Sequence, residues 1–434
     1  MTTLDLDPAT RWPGLDVLPS GAKARISARV ARRIFTAATK RIGVRVEGSG
    51  FEAGASAPSS TSGATATIVL HRPEEFFLRV GNDGLIGFGE GYLTGAWDSP
   101  DLCRLLTALA TELPSLVPAS LQRLRRLHVP RPPRAHRTTH EHTRALIAHH
   151  YDLSNDLFEA FLDPTLSYSS GLFTAQLTNA DDHLVASPPG HVAPVELADA
   201  QVRKIERLLD QAEVGAGTRV LEIGTGWGEL AIRAARRGAT VRTVTLSEEQ
   251  QVLARERIAA AGYADLVRVD LLDYRLVEGE YDAILSVEMI EAVGHDYWTT
   301  YFRKLDELLA SGGRVAIQAI TMPHDRMLAT RGSYTWINKY IFPGGFLPSV
   351  RAIEQVTSRD TSLRVVDRLS FGSHYAETLR LWEEAFLAAG EQVRGLGFDE
   401  TFRRMWLFYL VYSRAGFASA YLDVQQLTLM RQTR

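Results

Sequence analysis

The sequence predicts an α/β protein whose larger part is a doubly wound, mostly parallel sheet, preceded by a smaller α+β domain. Three observations carry this. From Glu141 onward, short apolar runs alternate with segments of helical period, the signature of repeated βα units. A glycine-spaced turn, Gly224 to Gly228, joins the apolar run ending at Ile223 to a helix that opens near Leu230. Upstream of about residue 136 the pattern is different, with basic helical stretches and glycine-punctuated segments. The expected domains are therefore 1–136 and 137–434, and 434 residues are ample for two cores.

In chain order, residues 1–20 contain Pro8, Pro13, Gly14 and Pro19 and are expected to be loosely attached. Ala22 to Ile42 reads as a helix with Ile26, Val30, Ile34 and Phe35 on one side and basic residues opposite. Gly54 to Ala66 reads as a loop, and Thr67 to His71 as an alternating strand. The six glycines between Phe76 and Trp97 suggest short strands and turns. Residues 101–127 read as helical with a basic end, and Pro130 to Pro133 as a linker. Strands are then expected at 219–223, 240–246, 267–270, 281–287, 313–320 and 363–369, with helices such as 248–261 and 298–309 between them. Ala180 to Asp199 reads as a surface insertion near the site.

Composition sets bounds on function. The hydrophobic content of 45% and charged content of 23% are those of an ordinary globular protein. No apolar run is long enough to span a membrane and no leader is visible, so a cytoplasmic protein is expected. The single cysteine, Cys103, excludes an internal disulfide and reads as a small apolar helix residue. Residues 1–150 hold 19 Lys and Arg against 13 Asp and Glu, a balance of +6, whereas the rest holds 29 against 38, a balance of −9. Solvated helix faces account for most such basic runs; lipid phosphate is the functional alternative, and no nucleic-acid-binding motif accompanies them. His149 and His150 lack a third ligand at metal-site spacing, so no metal is expected.

The glycine turn carries the chemistry. Gly224, Gly226 and Gly228 follow Glu222 in a G-x-G-x-G pattern, not the G-x-G-x-x-G of dinucleotide sites, and no acid ends the strand at Leu246. A ligand without a pyrophosphate but with positive charge fits, and S-adenosylmethionine has an ammonium, a sulfonium and a ribose. A tight turn with no ligand is the bland alternative.

Further stretches resemble the cyclopropane-fatty-acyl-phospholipid synthase family, which includes the mycolic acid cyclopropane synthases. They run from His150 to Phe158, Asp163 to Ser169, Leu221 to Gly228, Ser247 to Gln251, Ser286 to Glu291, Trp336 to Pro343 and Phe371 to Tyr375. The resemblance implies a Rossmann-like methyltransferase fold and transfer of the S-adenosylmethionine methyl carbon to a cis double bond of a phospholipid acyl chain. It places cofactor contacts at Tyr168, Ser169, Gly224, Gly226, Thr245, Leu246, Gln250 and Tyr274, with Gln250 in the ribose role. His150, Asp152, Asn155 and Asp156 would organise a lid-like segment. The proton is taken in this family by bound bicarbonate, held by a polar constellation that maps onto Glu291, Ile320, Tyr375, Ser170 and Gln318. Glu291 is the expected catalytic carboxylate, with Glu288 as support.

Two members of that constellation depart from the family pattern: Ser170 replaces a cysteine and Gln318 a histidine. A glutamine cannot titrate near neutrality, so proton removal is expected to differ. A hydride shift before deprotonation would leave an exocyclic methylene instead of a ring. The stretches around Glu222, Glu291 and Gln318 resemble an actinobacterial branch that forms 10-methylene-octadecanoyl lipids, precursors of tuberculostearic-type chains. Cyclopropane formation is the alternative product, and a small-molecule methyltransferase or a vestigial lipid-binding protein the alternative functions. The resemblance further implies a homodimer, a partner reductase for the methylene product, and peripheral attachment to the inner face of the plasma membrane.

Overall fold

The computed structural model describes residues 12, 14–50, 65–116, 154–180 and 182–432. The chain divides into two compact units, and neither is continuous in sequence. The first takes residues up to 131 together with Ser333–Ile341 and Gly390–Ser419; the second takes the rest. The boundary expected at 136/137 lies outside the described residues, as do His149, His150, Asp152 and the basic residues Arg123, Arg125 and Arg126.

In the first unit a three-stranded sheet runs β1 (Arg45–Gly48), β2 (Thr67–Leu70), β3 (Trp97–Asp98), with β1 and β2 parallel and β2 and β3 antiparallel. Where the sequence predicts strands and turns between Phe76 and Trp97, the structure has two helices, Pro73–Asp83 and Leu85–Leu93. Pro73 and the acids Glu74 and Glu75 start the first of them, as the helix dipole favours. The glycines in the second are there for close approach. A β-carbon at Gly89 would sit 2.4 Å from the Trp336 indole, and one at Gly87 2.1 Å from the Arg79 carbonyl oxygen. Phe88 and Trp97 rings lie 4.4 Å apart, and Tyr92 and Trp336 pack on Phe408 of the helix Glu400–Ala418 at 5.3 and 4.8 Å. The aromatic wealth of Trp336 and of Phe402–Phe417 is thus largely core of this unit. Buried Glu90 accepts from Lys339 Nζ and from Tyr340 Oη at 2.8 Å, which ties Ser333–Ile341 into place. Of residues 1–20, expected to be loosely attached, the described ones are held: Trp12 Nε1 donates to Asp399, and Arg79 donates to the carbonyl of buried Leu15. Cys103 is half-buried in the helix Leu102–Leu116.

The second unit is built on a nine-stranded sheet. Its strands are β4 (Leu177–Ala180), β5 (His183–Ala186), β6 (Arg219–Ile223), β7 (Thr240–Thr245), β8 (Val267–Leu271), β9 (Tyr281–Val287), β10 (Leu309–Thr321), β11 (Leu363–Ser370) and β12 (Asp423–Arg431). The spatial order is β4-β5-β11-β12-β10-β9-β6-β7-β8. Strands β8, β7, β6, β9 and β10 pair in parallel; β12 lies antiparallel between β10 and β11. Strands β6 to β11 fall where the sequence predicts them. The β4–β5 hairpin and β12 are additions, and the hairpin occupies the start of the expected insertion. That segment is anchored, since Val192 donates to Glu377 at 2.8 Å and Arg380 donates to the Val192 carbonyl at 2.7 Å. Chain order reverses between β6, which leads to β7 and β8, and β9, which leads to β10. In a doubly wound sheet such a switch point opens a crevice beyond the carboxyl ends of the strands.

Candidate active site

The crevice is present as a cleft of about 1300 Å³, its mouth included, lined by the ends of β6, β7 and β9, the segment after β8, and Leu166 to Ser169. Of the expected cofactor contacts, Tyr168, Ser169, Glu222, Gly224, Gly226, Thr245, Leu246, Gln250 and Tyr274 all line it. Gly228 does not. It caps the helix Glu229–Arg236 with φ of 90°, and a β-carbon there would press on Ala254 at 3.3 Å, so its role is packing. Gly224 and Gly226 also have positive φ, 95° and 51°, a region costly for any other residue. A β-carbon on Gly226 would meet nothing within 4 Å, consistent with backbone left open for a ligand.

Glu222 is buried at 3% exposure, accepts from Thr243, and has one carboxylate oxygen, Oε2, without a hydrogen-bond partner. Burial pushes its pKa up to about 8. An orphaned acid at the wall of a cleft calls for a cationic donor, and the ammonium of S-adenosylmethionine supplies one. Thr245 Oγ1 donates to Gln250 Oε1 at 2.9 Å, and Ser247 caps the Gln250 helix, which fixes the glutamine at the cleft wall. Trp227 Nε1 donates to Asn155 at 2.9 Å, and Phe158 packs on both Trp227 and Tyr168.

Three contributors are not singled out by the sequence. Lys204, 2% exposed on the helix Glu196–Gln211, lines the cleft and donates from Nζ to Ser169 Oγ at 2.6 Å. Burial lowers its pKa to about 8, against the pull of Glu288, Asp163 and Glu229. Gln201, one turn earlier, donates to the Ser169 carbonyl at 2.8 Å. Arg257 donates to the carbonyls of Pro164, Thr165 and Trp227 at 3.0 to 3.1 Å, clamping the Tyr168 segment to the glycine turn. Only the A-Q-x-x-K spacing on a helix face could have hinted at Gln201 and Lys204; Arg257 gives no local signal.

The expected constellation divides between two carboxylates. Glu288 Oε1 accepts from the Ser170 backbone N–H at 3.0 Å and from Gln318 Nε2 at 2.8 Å, and Oε2 accepts from Tyr375 Oη at 2.7 Å. Glu291 Oε1 accepts only the Ile320 N–H among these, and its Oε2 is buried without a partner. The Ser170 hydroxyl turns away to the Gly171 carbonyl. Polar convergence is therefore on Glu288, the residue read as support, which also lines the cleft. Glu288 has φ of 51°, a left-handed backbone unusual for a glutamate at a strand end. Such strain persists where the surroundings over-determine it. Burial raises the Glu288 pKa, opposed by Gln318, Ser170, Tyr375 and Lys204. Burial and the neighbouring Glu288 charge push Glu291 up to about 8, so at neutral pH it is mostly protonated.

Comparison with known proteins agrees with this geometry. Residues 138–427 match the mycolic acid cyclopropane synthetase family. The chain is 52% identical to the tuberculostearic acid methyltransferase UfaA1 of Mycobacterium tuberculosis over 97% of this chain and 96% of that one. It is 34% identical to the cyclopropane-fatty-acyl-phospholipid synthase of Escherichia coli K12 over 85% of this chain and 88% of that one. The solved mycolic acid cyclopropane synthase CmaA1, complexed with SAH and CTAB, superposes with a TM-score of 0.57 at 30% identity, covering 66% of this chain and 97% of that one. The glycine turn, the orphaned Glu222 and these matches lead to one conclusion: the chain belongs to the mycolic acid cyclopropane synthetase family and is an S-adenosylmethionine-dependent methyltransferase with a Rossmann-like fold.

Proposed function

We propose that the chain methylates the cis double bond of an unsaturated phospholipid acyl chain, of oleoyl type, and releases a 10-methylene product, with Glu288 as the base. The convergence of Ser170, Gln318 and Tyr375 on Glu288 is the observation that carries this reading. The donors that would hold a bicarbonate already hold a resident carboxylate. A separate bicarbonate does not fit this arrangement, and proton removal falls to the protein.

S-adenosylmethionine, when bound, supplies an electrophilic methyl group. Glu222 and Lys204 are the ionic contacts for its amino-acid end, and Gln250 the polar contact at the β7 end of the cleft. Methyl addition leaves a cation on the acyl chain. Burial raises the Glu288 pKa, while its three donors and the Lys204 charge favour the ionised form, and in that form the carboxylate would stabilise the cation. Hydride migration from the methyl-bearing carbon moves the cation there, and Glu288 takes a proton from the new methyl, leaving a C=CH2 group. Direct proton loss with ring closure would give the cyclopropane isomer of the same mass. The 52%-identical relative, a tuberculostearic acid methyltransferase, favours the methylene route.

The test is mass spectrometry of phospholipids from a host expressing the protein, with double-bond derivatisation. A derivatised terminal methylene at carbon 10 is expected; an underivatised product of equal mass would make the ring the product. A reductase would act next on the methylene. Among the described residues no helix is long and apolar enough to cross a membrane, so access to a bilayer substrate would be peripheral.

A further inference from the structure

Of the apolar residues that the sequence places on one side of the helix Gly21–Ile42, only Phe35 turns toward the unit. Ala24 and Thr39 are buried and Phe35 half-buried, with the Phe35 ring 5.2 Å from Phe76. The backbone at Ser27 and Ala28 comes so near Gly81 that a β-carbon there would clash at 2.6 Å. Three members of the apolar set are turned outward: Ile26 is 60% exposed, Val30 51% and Ile34 40%. These three repeat at i, i+4 and i+8 and so form one stripe about 12 Å long. Val17 and Leu18, just ahead of the helix, are 66% and 42% exposed.

The charge on this helix is of one sign. Between Gly21 and Ile42 there are seven Lys and Arg and no Asp or Glu, in a chain whose net charge is −3. At 100° per residue, Arg25, Arg29 and Arg33 border one side of the stripe, while Lys23 and Arg41 lie near its ends. We infer that this helix is an in-plane docking element for an anionic phospholipid bilayer. Ile26, Val30 and Ile34 enter the boundary between headgroups and acyl chains, and the basic stems reach back to lipid phosphate. Uniform positive charge complements an anionic surface, whereas it gives no paired charges to set the register of a second copy. Three side chains are also too small a patch for a stable protein interface. The inference rests on the phospholipid reading of the active site and names the element that brings the chain to that substrate.

The test uses the full-length protein and vesicles of phosphatidylcholine, alone or with one quarter phosphatidylglycerol. Wild type is expected to partition to the anionic vesicles at least tenfold more strongly than to the neutral ones, since each basic side chain contributes on the order of fivefold. Two triple variants are compared: Ile26→Gln/Val30→Gln/Ile34→Gln, and Arg25→Gln/Arg29→Gln/Arg33→Gln. Each is expected to lose tenfold or more in partition, while SAH affinity and turnover of detergent-dispersed phospholipid stay within twofold. Undiminished vesicle binding by both variants would overturn the inference. So would light scattering that shows a wild-type dimer dissociating in the apolar variant, since a second copy would then cover the stripe. Absence of turnover on dispersed phospholipid by the wild type would remove the substrate reading itself, and is distinguishable because it does not depend on vesicles.

Discussion

Replacing Glu288 by glutamine separates its chemistry from its packing. The carboxamide keeps the volume of the carboxylate, and its oxygen can still accept from the Ser170 N–H and Gln318 Nε2, the two donors that meet at Oε1. Its NH2 would then face Tyr375, whose hydroxyl can rotate from donor to acceptor. The fold should therefore lose only about 1 kcal/mol, the net worth of one hydrogen bond. Proton acceptance, by contrast, is abolished, and a positioned general base contributes roughly 10²- to 10⁴-fold. The expected outcome is a fall in kcat of about a hundredfold or more, with SAH affinity by calorimetry changed by less than about fivefold. Turnover is read as SAH release on lipid vesicles and as methylene product by mass spectrometry. Glu291→Gln is the control. Because Glu291 is pushed up to about 8, it is mostly neutral at pH 7, and the amide is a close mimic. Its turnover should stay within about tenfold of wild type, well short of the loss a removed base causes. If Glu288→Gln retained most of its activity while Glu291→Gln collapsed, the base would be Glu291 and the argument from converging donors would be wrong.

Other outcomes follow from the same geometry. Glu222 has a folded-state pKa of about 8 against 4.5 for a free carboxyl. Its contribution to stability is therefore complete below pH 4.5 and is lost as pH rises through 8, so the melting temperature of the ligand-free protein should fall across that window and Glu222→Gln should flatten the fall. Since a cationic ligand needs the ionised form, SAH binding at pH 7 should release a proton, seen as a calorimetric enthalpy that depends on the buffer. Lys204→Met should weaken SAH binding by about tenfold or more, the worth of a charged hydrogen bond. By removing a nearby positive charge it should also shift the rise of kcat with pH upward, which a purely structural role would not do. Gly228→Ala should lower stability by about 1–2 kcal/mol, measured by denaturant unfolding, through its packing on Ala254. Glu288→Gly combined with Gln318→His and Ser170→Cys relieves the left-handed backbone and frees the donors; ring product should rise and should depend on added bicarbonate.

The sheet of the second unit is legible because its strands are short apolar runs flanked by turns, a local signal that tertiary context does not override. The β6–glycine-turn–helix element is legible for a further reason, since ligand approach and helix packing both demand glycine there. The helices at Pro73–Asp83 and Leu85–Leu93 are hidden because Gly87, Gly89 and Gly91 serve close packing against Arg79, Trp336 and Trp97, partners remote or unrecognisable in sequence. The exposure of the stripe on Gly21–Ile42 is hidden for a related reason. Periodicity shows that an apolar face exists, but not whether it meets protein. At the site, the residue types are readable, whereas the choice between Glu288 and Glu291 depends on a backbone φ and on which donors converge, and three-residue spacing cannot supply either.

The first unit is assembled from three separate stretches of chain, the last two returning after the second unit's sheet is largely written. No single cut in the gene can therefore release either half whole. Trimming the amino-terminal 131 residues would strand Trp336 and Phe408 without the cover that Gly89 and Tyr92 provide, and the remainder should aggregate unless those surfaces are changed. Removing this module therefore also means resurfacing the two internal segments that return to it.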